Sequence, residues 1–313
     1  MSTRYLVDPE LLPLIDSFPP MILSDESLPM IRAAIPAMLA ARPLPDLPVR
    51  SQDVQIPSGE GGRMIRCLLI QPATSASNAP AILHFHGGGH VLGVPEMNKP
   101  QLMRWAHDLG CVIVSVDYRL APETPFPGPM DDAYAALRWM HEQADVLGID
   151  PQRIAVSGES AGGAMAACLS LMARDRGKYH IAFQHLEQPR LEDRLPSAKN
   201  ANPFTGEFVW TRQSSIYCRA QYMNKGERSP YASAARATDL SGLPPAYIAV
   251  GSLDLFVDEC LAYAARLVKT GIPTEVIVYP GCFHGFKMAA GTKIVERAEA
   301  DSIRAFRRAF DRK

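Results

Sequence analysis

Gly158-Glu159-Ser160-Ala161-Gly162-Gly163 separates an apolar run ending in Ile154, Ala155 and Val156 from an alanine-rich run, Ala164 to Ala173. The first run reads as a strand end and the second as a good helix former. Between them the chain has only a few residues in which to reverse, and small side chains at 158, 162 and 163 let a serine project from so tight a bend. The stretch therefore reads as a nucleophile elbow. The Gly-x-Ser-x-Gly spacing alone is weak evidence, because a plain strand-to-helix connection can hold a serine by chance, so the surroundings have to decide.

Working outward, strands and helices alternate on both sides of the elbow. Val54 to Ile56 and Met64 to Ile70 read as strands joined by a turn at Gly59 to Gly62. Ala81 to His86 and Cys111 to Asp117 are strands flanking a helix at Gln101 to Leu109; Asp131 to Leu147 is a helix and Arg153 to Ser157 the next strand. Beyond the elbow helix come strands at Ile181 to Leu186, Ala246 to Val250 and Glu275 to Tyr279, with helices at Val257 to Thr270 and about Thr292 to Phe310. Such alternation predicts an α/β fold with a mostly parallel sheet covered by helices on both faces. Two segments break the rhythm. Residues 1–48 carry short amphipathic helices and a proline-rich linker, and 187–239 mix Pro, Asn, Arg and Ser with scattered aromatic residues. The second reads as an inserted lid. The expected division is 1–48 as the N-terminal part of a cap, 49–186 and 240–313 as the two parts of one catalytic domain, and 187–239 as the cap insertion.

Composition excludes several classes of partner. With 313 residues, 47% of them hydrophobic, the chain can bury a large core. Its 32 basic and 33 acidic residues leave a net charge of -1, so there is no electrostatic case for nucleic acid or an anionic membrane. Six cysteines without metal spacing sit mostly in apolar runs, which fits reduced thiols and a cytoplasmic location. The N-terminus lacks the apolar core of a signal peptide, and no run has the length of a membrane span.

A serine needs a base to take its proton and a carboxylate to orient that base, in chain order serine, acid, histidine for this turn type. Of eight histidines only His180, His185 and His284 follow Ser160, and the first two border a strand with only Asp175 before them. His284, in the loop Pro280 to Phe286 just past a strand, is the expected base, because parallel strands present catalytic groups at their carboxyl ends. Asp254 follows the strand Ala246 to Val250 and is the expected acid; Asp258, one helical turn on, is the alternative. His86-Gly87-Gly88-Gly89 supplies bare backbone for an oxyanion hole, with the amides of Gly88 and Gly89 joined by that of Ala161 at a helix start. His84, His86 and His90 could instead share a metal ion, but no acid or second cluster accompanies them.

These motifs, together with Asp117-Tyr118-Arg119-Leu120-Ala121-Pro122-Glu123, Asp258-Glu259 and His284-Gly285-Phe286, resemble in order and spacing the hormone-sensitive-lipase-like esterases, over about residues 50 to 312. The resemblance implies an α/β-hydrolase fold with a helical cap and hydrolysis of carboxylic esters through a serine acyl-enzyme, with Ser160, Asp254 and His284 as triad and no cofactor or metal. Glu159 stands where the family often has Asp, and Leu255 where Pro is common. Asp117 to Glu123 reads as a brace under the glycine loop. The cap implies short- to medium-chain acyl esters as substrate. Amide or lactone hydrolysis by the same triad, or non-catalytic ligand binding as in some relatives of the fold, are the rival readings. Family members often dimerise through the last strand, and Thr274 to Tyr279, a sheet edge guarded only by Glu275, fits a homodimer.

Overall fold

The structure, a computed structural model, describes residues 2–59, 61–74, 77–194, 201–223 and 228–311. One eight-stranded sheet forms its centre, built from β1 (Val49–Pro57), β2 (Met64–Pro72), β3 (Ala79–Phe85), β4 (Val112–Val116), β5 (Ile149–Glu159), β6 (Phe183–Glu187), β7 (Ala246–Gly251) and β8 (Thr274–Tyr279). The strand order is β1-β2-β4-β3-β5-β6-β7-β8. β1 and β2 pair antiparallel, as do β2 and β4, and every later pairing is parallel. The expected α/β class and mostly parallel sheet are what the chain forms.

Alternation along each strand sends neighbouring residues to opposite faces. Ile82, Ile113, Ala155 and Tyr247 pack with Trp105 of α3 (Lys99–Leu109) and Phe306 of α9 (Lys293–Phe310). Leu83, Val114, Val156 and Ile248 join the opposite core, with α4 (Gly128–Glu142), α6 (Ala161–Arg176) and α8 (Val257–Lys269). Because both faces are covered, the central strands are buried on both sides and lack the period-two alternation that would mark their limits. The elbow strand accordingly runs from Ile149, earlier than Arg153, and β6 starts at Phe183, not Ile181. The single helix expected over Asp131 to Leu147 is two: it breaks at Gln143 (φ -109°, ψ 19°) and resumes as Ala144–Leu147, α5. Gly148, at φ 68°, then ends that short helix in a left-handed conformation suited to glycine.

The two segments outside the alternation meet each other. The N-terminal one holds α1 (Leu12–Ser17) and α2 (Ser27–Ala40), and the insertion holds α7 (Arg212–Tyr222). Met21 N–H donates to Val209 O at 2.8 Å, and Ser214 Oγ donates to Met21 O at 2.7 Å. Tyr217 OH reaches Asp25 at 2.8 Å, and Thr3 Oγ1 reaches Glu207 at 2.6 Å. These bonds give polar groups of each segment a partner in the other. On the far side of the sheet, β8 is the edge: Val276 and Val278 are 41% and 38% exposed, while Glu275 is engaged by Arg304 at 2.8 Å and Arg308 at 2.6 Å. Among the described residues no helix is long and apolar enough to cross a membrane, and all six cysteines are free and buried.

Candidate active site

Ser160 sits between the end of β5 and the first turn of α6 with φ 54° and ψ -114°, a region that costs a non-glycine residue about 1–3 kcal/mol. Packing holds it there. A Cβ on Gly162 would run into the carbonyl oxygen of Phe85 at the tip of β3, and one on Gly158 would strike the backbone of Gly162. The glycines of the motif are therefore a matter of space between three pieces of backbone. Ser160 N–H donates to Glu187 O at 2.8 Å, and Ser160 O accepts from Arg190 N–H at 3.2 Å, which ties the turn to the chain leaving β6.

The structure brings Ser160, His284 and Asp254 together at the carboxyl ends of β5, β8 and β7. His284 Nε2 lies 2.9 Å from Ser160 Oγ, and His284 Nδ1 lies 2.8 Å from Asp254 Oδ2. The second carboxylate oxygen of Asp254 accepts Phe256 N–H at 2.9 Å, so the acid is pinned in one orientation. A buried carboxylate on Nδ1 selects the tautomer whose Nε2 lone pair faces the hydroxyl, and Ser160 then donates to it. Asp254 is fully buried, and Ser160 and His284 are each only 7% exposed. The Phe256 and His284 rings meet edge to face with centroids 4.9 Å apart, and the tilted ring of Trp210 of the insertion lies 6.1 Å from the imidazole. Asp258 is exposed and accepts from Asn202 at 3.3 Å, leaving Asp254 as the carboxylate on the histidine.

The remaining histidines are committed elsewhere. His180 is exposed, whereas His185 bonds to Ser157 Oγ at 3.1 Å and is stacked on Phe306 and Tyr247 at 4.4 and 4.9 Å. His84 bonds to Ser115 Oγ at 3.0 Å, His86 stacks on Tyr118 at 4.2 Å, and His90 stacks on Tyr222 at 3.9 Å. Burial pushes His84, His86 and His185 down to about 3, 4 and 3, so they are neutral packing groups at ordinary pH. The three histidines near the glycine loop therefore point to different partners and do not converge as metal ligands, and no metal-binding cluster occurs among the described residues.

Gly88 and Gly89 lie at φ 111° and 66°, the first of them so close to Leu92 O that a side chain has no room. Neither their amides nor that of Ala161 finds an acceptor among the described residues, so three N–H groups stand free beside the serine turn. Asp117 to Glu123 braces this loop as expected: Tyr118 OH donates to His86 O at 2.8 Å and Ala121 N–H to His90 O at 2.9 Å. A Cβ on Gly89 would lie 2.6 Å from Cys218 Sγ and 2.9 Å from the Trp210 ring, which places the insertion directly over the glycine loop. Sequence reasoning did not single out Trp210, Cys218, Glu187, Gln188 or Lys287. The last three join the serine turn and the histidine loop to β6, and the polar residues Gln184, His185, Glu187 and Gln188 in and just after a doubly covered strand were the one signal available.

A family model described as alpha/beta hydrolase fold matches residues 82–288, which include the glycine loop, the elbow, the acid and the histidine. The chain belongs to the hormone-sensitive-lipase-like family of α/β-hydrolase esterases. It is 35% identical over 286 residues to carboxylesterase NlhH of Mycobacterium tuberculosis, covering 90% of this chain and 88% of that protein, and 35% identical over 288 residues to esterase LipI of the same organism, covering 91% and 89%. Among solved structures, a bacterial heroin esterase superposes with a TM-score of 0.92 at 37% identity, covering 99% of this chain and 100% of the other. Esterase LipW from Mycobacterium marinum does so with a TM-score of 0.88 at 30% identity, covering 99% and 98%. The protein is a carboxylic-ester hydrolase of the serine type.

The two candidate acids are separable in solution. Asp254→Asn replaces an oxygen that accepts from Nδ1–H by a group that can force the other tautomer, and kcat is expected to fall on the order of 10⁴-fold. Asp258→Asn changes an exposed side chain, and kcat should stay within about threefold of wild type. Steady-state kinetics on a soluble aryl ester checks the ranking; the reverse order would move the acid to 258.

Proposed function

We propose that the protein hydrolyses short- to medium-chain acyl esters through an acyl-enzyme on Ser160, with His284 as base, Asp254 as its orienting acid, and the amides of Gly88, Gly89 and Ala161 as the oxyanion hole. The observation that carries this reading is the unbroken hydrogen-bonded chain Asp254–His284–Ser160, at 2.8 and 2.9 Å, beside three unpaired N–H groups. As Ser160 Oγ bonds the acyl carbon, its proton passes to His284 Nε2 and the carbonyl oxygen becomes an anion facing those amides. Collapse breaks the bond to the alcohol, whose oxygen takes the proton from His284. Water then attacks the acyl-enzyme with the same base, and the acid is released. No step calls on a cofactor. Ser160→Ala is expected to lower kcat by about 10⁴- to 10⁶-fold without unfolding the chain, and a fluorophosphonate should label wild type at Ser160 with one equivalent. Label found on another residue, or turnover intact in the alanine variant, would overturn the assignment.

Residues 1–48 and 187–239, less Glu187, which ends β6, are read as one cap that limits the acyl chain. Support comes from their mutual hydrogen bonds and from Trp210 and Cys218 lying against Gly89. Each buried methylene contributes up to about 0.8 kcal/mol, or about fourfold in kcat/KM, until the roof is reached. Rates on 4-nitrophenyl esters should thus climb over the first few carbons and then stop climbing. Deletion of residues 1–40 should flatten that rise while leaving Ser160 reactive to a small phosphonate; an unchanged chain-length profile would count against the cap.

The exposed valines of β8, on an edge whose one acidic guard is already paired, also support a homodimer formed strand to strand. Light scattering at micromolar concentration should give twice the chain mass, and a monomer mass would contradict the pairing. All six cysteines are free and buried, which supports a chain kept reduced in the cytoplasm.

A further inference from the structure

Several hydrogen bonds leave the tip of β6. The main-chain oxygen of Glu187 accepts Ser160 N–H at 2.8 Å, and the side-chain Oε1 of Gln188 accepts Gly285 N–H at 2.7 Å, one residue after His284. The Glu187 carboxylate takes Lys287 Nζ at 2.7 Å, three residues after His284, and Ser302 Oγ at 3.0 Å. Both tip residues are 4% exposed. Gln188 is itself held, because its N–H donates to Ala249 O at 2.6 Å, and its φ of 46° is one that a non-glycine residue adopts only under constraint. Lys287 is shared with Glu299 at 2.5 Å, and Glu299 accepts from Gln101 at 3.0 Å and Trp105 at 3.1 Å. Burial lowers the Lys287 ammonium, and the two carboxylates more than reverse it, so the lysine stays charged and the ion pair intact. The network thus runs from α3 and α9 through the strand tip to both loops of the reaction centre.

We propose that Glu187 and Gln188 are positioning residues for the hydrolysis, tying the serine turn and the histidine loop to one rigid strand tip so that Oγ and Nε2 keep their separation. Neither side chain bonds to Ser160 Oγ or to the imidazole. Their effect is geometric: the imidazole must take a proton from Oγ and then give it to a leaving oxygen in another direction, and a displacement of about 1 Å can cost on the order of 10²-fold in rate. The inference rests on Ser160 and His284 being nucleophile and base.

Leaving groups separate this role from general loss of structure. An ethoxide must be protonated by His284 as it departs, whereas 4-nitrophenolate leaves without a proton. Gln188→Met removes the acceptor of the Gly285 N–H and keeps the side chain's length. Counted per serine titrated by a fluorophosphonate, its kcat/KM is expected to fall about 10²-fold on an ethyl ester but about tenfold or less on the 4-nitrophenyl ester of the same acid, with KM for the ethyl ester within about threefold of wild type. Gln188→Glu retains an acceptor at Oε1 and should recover most of the ethyl-ester rate. Thermal midpoints establish that each variant is folded, and Gln188→Ala, smaller at the same site, provides the test if the methionine variant is not. Equal losses on the two esters, an unaffected ethyl-ester rate, or no recovery in Gln188→Glu overturns the positioning role. Failure of wild type to label at Ser160 overturns the triad reading beneath it, and the two outcomes are read from different samples.

Discussion

Gly162 lies so close to the carbonyl oxygen of Phe85 that a methyl group has no space between them, and the rest of the site follows from this approach. It lets α6 start against the tip of β3 while the chain is still leaving β5, which forces Ser160 into a positive-φ conformation and pushes its hydroxyl outward. Phe85 is followed at once by the glycine loop, so the contact that shapes the serine turn also sets the height of the Gly88 and Gly89 amides beside it. The serine turn and the free amides beside it are fixed by one backbone contact. Strain at Ser160, about 1–3 kcal/mol, is sustained by α6, whose residues from Ala161 to Ala173 are all buried.

Histidine and acid depend on a different part of the molecule. Asp254 and His284 leave neighbouring strands, β7 and β8, and Leu253 N–H donates to Cys282 O at 2.8 Å where the two loops cross. A Cβ on Gly251 would collide with that same carbonyl. The loops therefore nest before their side chains meet, and the 2.8 Å bond between Asp254 and His284 lies above a backbone already in register. Between this half and the serine half stands β6, whose polar tip bonds to both. Each half is rigid within itself, and the separation of Oγ and Nε2 depends on how they are joined.

Polar groups buried in the sheet divide by their neighbours, not by their residue type. His185 and His284 are equally available by chain order. One is wedged between Tyr247 and Phe306 and loses its charge to desolvation, while the other faces a buried carboxylate and a hydroxyl. The same holds for the acids: Asp254 and Asp258 are one helical turn apart, and the turn takes the second out to solvent.

The residues the structure brings together at the candidate site were legible because each needs a local context that sequence records: small residues where a strand turns into a helix, a glycine run after a strand, an acid and a histidine just past strand ends. Gly158, Ser160, Gly162, Asp254 and His284 could be placed on these grounds, and so could the parallel sheet, since alternating strands and helices leave few other ways to cover two apolar faces. Strand limits and the break at Gln143 were less legible, because strands buried on both faces lose their period and a helix with a polar interruption keeps its own. What only the tertiary structure decided is how distant pieces touch. Gln188 and Gly285 are 97 residues apart, Glu187 and Lys287 100, and Met21 and Ser214 193. No local propensity encodes such pairs, since a glutamine or a lysine near a loop looks like any solvated polar residue until the strand order brings it beside its partner. The sequence by itself determined which candidate serine, acid and histidine stand at which strand ends; the folded arrangement of β6 between β5 and β7 determined what holds them at hydrogen-bonding distance.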